Sequence, residues 1–325
     1  ISTFGYLKKY NNISLFDDNK KVKLNHLDKK KLISFDQIKK FRFDVIILSP
    51  GININQCKLK NFLKKNLKII YTDLDVFYSF YKNQCIAITG TNGKSTSCQL
   101  LYEVLSKHGL DVKLAGNIGY PVLSIKNIKN KSIFVIEASS YQLDYSQLFK
   151  SKYAVILNIS PDHLERHKTL KNYIYAKFKL IRNQKKDSIA FISKYDKYLQ
   201  KEIKKNKHKS KIIKIETKLK NKTINTFQND YFSSVSNKEN LAFVIEIAKK
   251  FKVKKSILIK AIKNFKGLKY RQQIIFNNRD ISVINDSKST SYASSIDILN
   301  KSKNIYWLLG GIPKKGDKFN LSKKH

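Results

Sequence analysis

Short apolar runs bounded by glycine, proline or polar turns alternate along the chain with stretches whose apolar residues recur at helical spacing. Such alternation predicts α/β layers built on largely parallel sheets. Phe43 to Ser49 predicts a buried strand that ends at the turn Pro50-Gly51, and Ile69 to Thr72 a second strand. Cys85 to Thr89 (CIAIT) predicts a third, which runs into a glycine-rich turn and then a helix from about Lys94 to Lys107. Further strands are expected at Asp111 to Ala115, Ile133 to Glu137, Ala154 to Ile159 and Ile189 to Ile192. Apolar spacing places helices at Leu170 to Asn183, Glu239 to Lys250 and Lys255 to Phe265. Lys201 to Lys214 has no strong period and is expected to form a solvated helix and a short edge strand. After Gly267 the pattern restarts, with strands at Gln273 to Phe276, Ile281 to Asn285 and Ile305 to Leu309 and a helix from about Ser291.

At 325 residues, 42% of them hydrophobic and 12% aromatic, the chain holds enough apolar material for two or three cores. The pattern sets domains at 1–80, 81–268 and 269–325. No apolar run approaches the length of a bilayer span, and lysines interrupt the opening ISTFGYLKKYNN where a signal peptide needs an apolar core. Cys57, Cys85 and Cys98 are scattered, which argues against a disulfide framework or zinc site and fits a reducing cytoplasm.

The formal charge of +41 raises the question of nucleic acid. The arginines are only Arg42, Arg166, Arg182, Arg271 and Arg279, and the remaining positive charge is lysine spread evenly among Asn and Ile. A nucleic-acid surface concentrates charge and uses arginine for bidentate and stacking contacts. Diffuse lysine fits a solvated surface and codon bias instead, and no specific nucleic-acid partner is expected.

The sharpest local signal is Gly90-Thr91-Asn92-Gly93-Lys94-Ser95-Thr96, between an apolar strand and a helix. Glycines let backbone N–H groups turn toward an anion, and the helix adds its positive N-terminal end. Lys94 would neutralise β- and γ-phosphate oxygens, and the Ser95 hydroxyl would bind Mg²⁺. Where G-x-x-x-x-G-K-S/T would have its first glycine, the chain has Ile88, and the first glycine is Gly90. The plainer alternative is a helix-capping turn that happens to contain Lys and Ser. Glu137 ends the strand IFVIE, where a carboxylate suits a hard cation. Asp162, His163 and Arg166 follow the strand AVILNI and form a dense polar cluster at one strand end.

With these residues in view the chain resembles the Mur ligase family, and within it the D-glutamate-adding (MurD) type. The blocks that carry the resemblance run in order along nearly the whole chain. They are SPGI (49–52), ITGTNGKST (88–96), GNIGYP (116–121), EASSYQL (137–143), NISPDHLERH (158–167), YIYAKFKLI (173–181), GLKYRQQ (267–273), NDSKST (285–290) and LLGGIPKKGDKF (308–319). The SSYQL serines and glutamine, and the serine after the lysine of GTNGKST, are what point to the D-glutamate-adding type.

The resemblance implies three domains: a Rossmann-like N-terminal domain for UDP, a central P-loop ATPase and a Rossmann-like C-terminal domain for the amino acid. It implies ATP, two Mg²⁺ ions, and UDP-N-acetylmuramoyl-L-alanine and D-glutamate as substrates of a monomeric cytoplasmic enzyme of peptidoglycan precursor synthesis. The substrate carboxylate would attack the γ-phosphate of ATP, and the amine of D-glutamate would then attack the resulting acyl phosphate. Lys94 and Ser95 match the family's phosphate loop, Glu137 its magnesium carboxylate, His163 the ligand of a second magnesium, and Lys177 a carbamylated lysine. Asn117 and Gly51 match contacts to the uridine-linked substrate, Asp17 and Asp18 the uracil position (with Asn19 beside them), and Ser139 a substrate contact. Asn237 and Asn240 resemble adenine-side asparagines. Arg271, Asp286, Lys288 and Thr290 resemble C-terminal contributions to nucleotide and D-glutamate, and Lys314, with Lys315 as close, the lysine after Gly310-Gly311.

Against the family pattern the chain lacks an opening strand with its glycine-rich turn and the last strands of the C-terminal domain. It is expected to be truncated at both ends, and these 325 residues alone are expected to show little ligase turnover. The alternatives are another Mur ligase, a folylpolyglutamate synthase-like ligase, a non-catalytic ATP-binding fragment, or a basic P-loop nucleic-acid protein.

Overall fold

In the computed structural model the described residues are 2–9, 11–18, 26–218, 223, 226–289, 292–300 and 302–312. The first region contains helices α1 (Ser2–Leu7), α2 (His26–Lys29) and α3 (Phe35–Lys40), strand β1 (Ile46–Ile47), helix α4 (Lys60–Lys65), strand β2 (Ile70–Tyr71) and helix α5 (Asp73–Phe80). β1 and β2 pair in parallel over a small core of Ile38, Leu48, Ile54, Leu59, Leu63 and Ile70. The strand expected across 43–49 is therefore only two residues long. Val45 is 52% exposed and only Leu48 at its far end is buried, so an apolar run that reads as a core strand lies half in solvent.

The centre of the molecule is a six-stranded parallel sheet, order β4-β5-β3-β6-β7-β8, from strands β3 (Cys85–Thr89), β4 (Val112–Gly116), β5 (Ile133–Glu137), β6 (Tyr153–Ile156), β7 (Ile189–Ser193) and β8 (Lys211–Ile215). Its connections include α6 (Lys94–Lys107), α7 (Ser140–Tyr145), α8 (Leu164–His167), α9 (Leu170–Arg182) and α10 (Lys197–Lys205). Two later helices, α11 (Val235–Lys250) and α12 (Lys255–Lys263), pack onto α6.

Side chains of a strand alternate between faces, and every residue of β3 is buried, so both faces of that strand are covered. Ile86 and Ile88 join Leu101, Val104 and the α11–α12 residues Phe243 and Ile262 in one core. Cys85 and Ala87 face the other core, with Leu74 of α5, Leu143 of α7 and Phe178 of α9. These two layers explain why β3 and β5 carry unbroken apolar sequence while edge strand β8 does not.

Element ends differ from expectation for local reasons. β6 stops at Ile156, because the chain leaves the sheet to lace the glycine turn, although Leu157 and Ile159 remain buried. α11 starts at Val235 rather than Glu239, because the Ser234 hydroxyl accepts the Asn237 N–H (3.2 Å) as an N-cap. α12 ends at Lys263, two residues before Phe265. The expected helix and edge strand within 201–214 are α10, capped by Asp196, and β8.

Beyond α12, strands β9 (Gln273–Asn277) and β10 (Ser282–Asn285) form an antiparallel hairpin, followed by α13 (Tyr292–Leu299). The strand expected at Ile305 to Leu309 is not formed. Tyr306 is 98% and Leu308 95% exposed, and although Trp307 meets the Tyr292 ring edge-on, the run pairs with no strand among the described residues. The residues Asn19, Thr290, Lys314 and Lys315 lie outside the described residues. Among the described residues no helix is long and apolar enough to cross a membrane.

Candidate functional site

In a parallel sheet ligands gather at the carboxyl ends of strands where the strand order reverses. β5, β3 and β6 are neighbours there, and each is followed by one of the polar segments singled out in the sequence. After β3 comes Gly90–Gly93, with Gly93 at φ +79 capping the amino end of α6. A Cβ on Gly93 would stand 2.0 Å from Asn240 Oδ1, so glycine is required both by the turn and by the asparagine seated against it. The first N–H groups of α6 have no partner within a helix and are presented at the sheet edge.

The turn is tied to the segment after β6. Thr91 N–H donates to Asn158 O (3.0 Å), Asn92 N–H to Asn158 Oδ1 (2.9 Å), and Ser160 N–H to Thr91 Oγ1 (2.9 Å). The hydroxyls of Thr91 and Tyr173 meet at 3.1 Å, which links the turn to α9. Asn158 and Tyr173 were not among the expected site residues. A polar residue directly after an apolar strand was the available signal for Asn158, whereas nothing in local sequence pairs positions 91 and 173.

Lys94 folds back over this turn, its Nζ donating to Gly90 O (3.0 Å) and Thr91 O (2.7 Å). Burial pushes its pKa down, while Glu137 and Asp162 pull it up and Arg271 opposes them. Lys177, from α9, is 1% exposed and donates to Gly90 O (2.8 Å) and Thr89 Oγ1 (3.3 Å). Burial lowers its pKa well below the usual amine range, and the neighbouring Lys94 lowers it further. Two lysines therefore share one glycine carbonyl, with Glu137 and Asp162 as the carboxylates acting on both.

Glu137 ends β5 at 1% exposure. Its Oε1 accepts from Asn117 Nδ2 (2.9 Å), and its buried Oε2 has no hydrogen-bond partner. Asn117 is held in place by donating its own N–H to Glu137 O (3.0 Å), so the GNIG segment and the strand-end carboxylate form one unit. An unpartnered buried carboxylate oxygen is costly and marks a place where a cation belongs.

His163 stands at φ +53, its Nδ1 2.9 Å from the Tyr141 hydroxyl and its Nε2 3.3 Å from Asp162 Oδ2. Burial and the nearby Glu165 raise the Tyr141 pKa to about 12. Ser139 caps α7, its hydroxyl accepting Gln142 N–H (3.2 Å) and lying 3.1 Å from Gln142 Oε1, so that side chain is committed to local structure.

On the opposite flank, Arg271 Nη2 donates to Ser95 Oγ (3.3 Å) and the Thr96 hydroxyl lies 3.4 Å from that of Tyr231. Asn237 and Asn240 are buried in α11, and Asn237 Nδ2 donates to Tyr231 O (2.8 Å) and Gln272 Oε1 (3.4 Å). Gln272 N–H donates to Asp286 Oδ1 (3.0 Å), which joins the β9–β10 region to the same network. Tyr231 and Gln272 were also missed, since neither sits in a periodic segment.

The structure thus brings Gly90 to Thr96, Asn117, Glu137, Lys177, Asn237, Asn240 and Arg271 into connected networks. Gly51 lies exposed in the turn closed by Ile52 N–H to Ser49 O (3.0 Å). Asp17 and Asp18 are exposed in the first region. Lys288 is exposed, with its N–H on Tyr270 O (3.0 Å). Among the described residues no group of three or more His, Cys, Asp or Glu side chains is arranged to hold a metal ion by itself.

Residues 88–264 match the family model described as the Mur ligase middle domain. The chain is 37% identical to the UDP-N-acetylmuramoylalanine–D-glutamate ligase of Rickettsia bellii, over 97% of this chain and 75% of that protein. It is 38% identical to the ligase of the same name from Rickettsia felis (84% and 64%) and 36% to that of Buchnera aphidicola (95% and 74%). The chain thus spans roughly two thirds to three quarters of the length of these curated relatives. Among solved structures, a MurF ligase from Thermotoga maritima in complex with ADP superposes with a TM-score of 0.53 at 13% identity, over 90% of this chain and 66% of that one. A UDP-N-acetylmuramate:L-alanyl-γ-D-glutamyl-meso-diaminopimelate ligase from Neisseria meningitides does so with a TM-score of 0.51 at 16% identity, over 81% and 93%.

Proposed function

The chain belongs to the Mur ligase family, and from that premise we propose that it joins D-glutamate to UDP-N-acetylmuramoyl-L-alanine with ATP, a step of peptidoglycan precursor synthesis. The observation that carries this reading is the meeting, at the ends of β5, β3 and β6, of a glycine turn, a half-buried and a buried lysine, and a carboxylate oxygen without a partner.

ATP phosphates would lie on the turn's amides, with Lys94 exchanging the carbonyls of Gly90 and Thr91 for phosphate oxygens. Asn237, Asn240 and Arg271 line the α11 side, where the rest of the nucleotide would extend. Magnesium fits the Ser95 hydroxyl and Glu137 Oε2, both hard oxygen donors, and when bound supplies charge that offsets the repulsion between phosphate and carboxylate. A second ion would rest on His163 and on Lys177 as a carbamate. Burial lowers the Lys177 pKa well below the usual amine range, and the neutral amine this favours adds to CO₂ with release of one proton, giving a carboxylate-like donor.

The terminal carboxylate of UDP-N-acetylmuramoyl-L-alanine attacks the γ-phosphorus, ADP leaves, and an acyl phosphate forms. The amine of D-glutamate then attacks the acyl carbon and phosphate departs, leaving an amide. Asn117 steers the acceptor substrate beside Glu137; Gly51, Asp17 and Asp18 are assigned to its uridine end, and Ser139 acts through the start of α7. Asp286, with Arg271, is assigned to the nucleotide, and Lys288 to the D-glutamate side, together with Thr290 and Lys314 in the undescribed segments. We assign domain limits at residues 80 and 268, a monomeric state, and a cytoplasmic location consistent with the free thiols Cys57, Cys85 and Cys98.

The test is ADP release with UDP-N-acetylmuramoyl-L-alanine across L-alanine, D-glutamate, meso-diaminopimelate and L-glutamate. D-glutamate alone should stimulate it. Stimulation by another member of the panel overturns the substrate assignment, and failure of the protein to bind ATP, which needs no turnover, overturns the ligase assignment.

A further inference from the structure

Tyr141, at the start of α7, and His163, at the start of α8, meet across the seam between those helices. The Tyr141 hydroxyl lies 2.9 Å from His163 Nδ1, and the two rings pack edge to face with centroids 4.9 Å apart. Tyr141 is itself held from other sides. The Arg166 guanidinium sits with Cζ 5.1 Å from its ring centroid, and the His167 ring lies 5.8 Å away. Arg166 reaches equally to Tyr145, one turn further along α7, and His167 Nε2 is 3.0 Å from Ser140 Oγ. The backbone agrees with a fixed placement. His163 at φ +53 and Lys168 at φ +69 bracket α8, and non-glycine residues keep such angles only where surrounding contacts over-determine them.

A neutral imidazole has one N–H and one bare nitrogen, and the two nitrogens of His163 face different groups. Nε2 is 3.3 Å from Asp162 Oδ2, and an ionised carboxylate only accepts. Nδ1 faces the Tyr141 hydroxyl, which both donates and accepts. Glu165 Oε1, 3.4 Å from that hydroxyl and from Nδ1, is a second acceptor within its reach. With the ring proton on Nε2 and directed at Asp162, the hydroxyl donates to Nδ1, its shorter contact. Where Nε2 gives its lone pair to a cation, the ring proton sits on Nδ1, the hydroxyl accepts it, and its own hydrogen turns toward Glu165. The ring holds one proton in both arrangements and exchanges it with water, so no further reactant is needed.

We propose that Tyr141 is a positioning residue for His163: its hydroxyl engages Nδ1 in either direction, so that Nε2 is the nitrogen the ring presents to a cation. Imidazole ligands are oriented in general by a partner on the other ring nitrogen. Use of Nε2 by magnesium rests on the ligase reading, whereas commitment of Nδ1 to Tyr141 does not.

Nitrogen NMR of histidine-labelled protein tests this, with the His163 signals assigned by their loss in His163→Gln. The shifts of the two ring nitrogens report which one carries the proton, a property that a purely structural role for Tyr141 leaves unmoved. In metal-free parent protein, recorded on the neutral ring, the Nε2–H form should prevail. Tyr141→Phe keeps the ring against Arg166 and removes only the hydroxyl. The ratio of Nε2–H to Nδ1–H forms should then fall about threefold to tenfold, the worth of one ordinary hydrogen bond. An excess of the Nδ1–H form in the metal-free parent overturns the proposal, and that measurement holds even if the variant fails to fold. The same ratio in parent and folded variant also overturns it. Adding MgCl₂ with a non-hydrolysable ATP analogue should move the parent's ring proton to Nδ1. A ratio that differs between parent and variant but does not respond to magnesium upholds the positioning role and overturns the magnesium assignment of His163.

Discussion

Asp75 and Glu137 are each 1% exposed, and what surrounds them differs. Asp75 Oδ1 accepts from Ser146 Oγ (2.7 Å) and from the N–H groups of Gln147 (3.0 Å), Leu148 (2.7 Å) and Phe149 (2.9 Å). Its Oδ2 accepts from Thr72 N–H (2.9 Å) and the Thr72 hydroxyl (3.1 Å). Every lone pair is used, and the result is a staple between α5 and the segment after α7. Glu137 has Asn117 on one oxygen and nothing on the other. The fold saturates the carboxylate that serves architecture and leaves an oxygen open on the one beside the glycine turn, so equal burial goes with opposite hydrogen-bonding states.

Removing the saturated carboxylate should have the largest effect on stability. Asp75→Ala strands several buried donors, and urea unfolding should show a loss of about 3–5 kcal/mol. ATP affinity of the molecules that remain folded should be unaltered, because the staple lies away from the turn.

Next in size is the pH dependence from His167, whose folded pKa is depressed to about 4 from 6.5. As pH falls through 6.5 the unfolded chain binds a proton that the folded one refuses. Stability is therefore complete above that value, declines across the window from 6.5 to 4, and loses no more from this group below it. The upper limit is about 3 kcal/mol. Urea midpoints measured across that window should slope less in His167→Gln; an identical slope assigns the effect elsewhere.

Gly93→Ala sharpens the comparison at the turn itself. A β-carbon there meets Asn240 and an unfavourable φ, so destabilisation of about 1–3 kcal/mol is expected in thermal or urea melts. Adding Asn240→Ala should restore part of it, the steric share. The smallest stability change belongs to the open carboxylate: Glu137→Gln removes an unpaired buried charge, and the urea midpoint should stay within about 1 kcal/mol of the parent or rise.

Much of this arrangement was legible in the chain because local and tertiary demands agree around β3. Cys85 to Thr89 is apolar on both faces, Gly93 needs its left-handed φ, and Lys94 opens a helix whose apolar residues all face one core. Glu137 was legible as a polar end to an apolar strand. The run at 43–49 misled because hydrophobicity there reports a shallow two-stranded pairing, and the run at 305–309 because its residues stay exposed. Contacts such as Thr91 with Tyr173, or Asn240 over Gly93, join positions far apart in sequence and have no periodic signature.

The central claim is that Glu137 keeps an oxygen free for magnesium at the nucleotide site. Titrating ATP with and without Mg²⁺ into the parent protein and into Glu137→Gln tests it most directly. The account predicts that Mg²⁺ tightens ATP binding to the parent and that this gain shrinks by about 10- to 100-fold in the variant, with affinity in the absence of metal little changed. An equal Mg²⁺ gain in both proteins would contradict it.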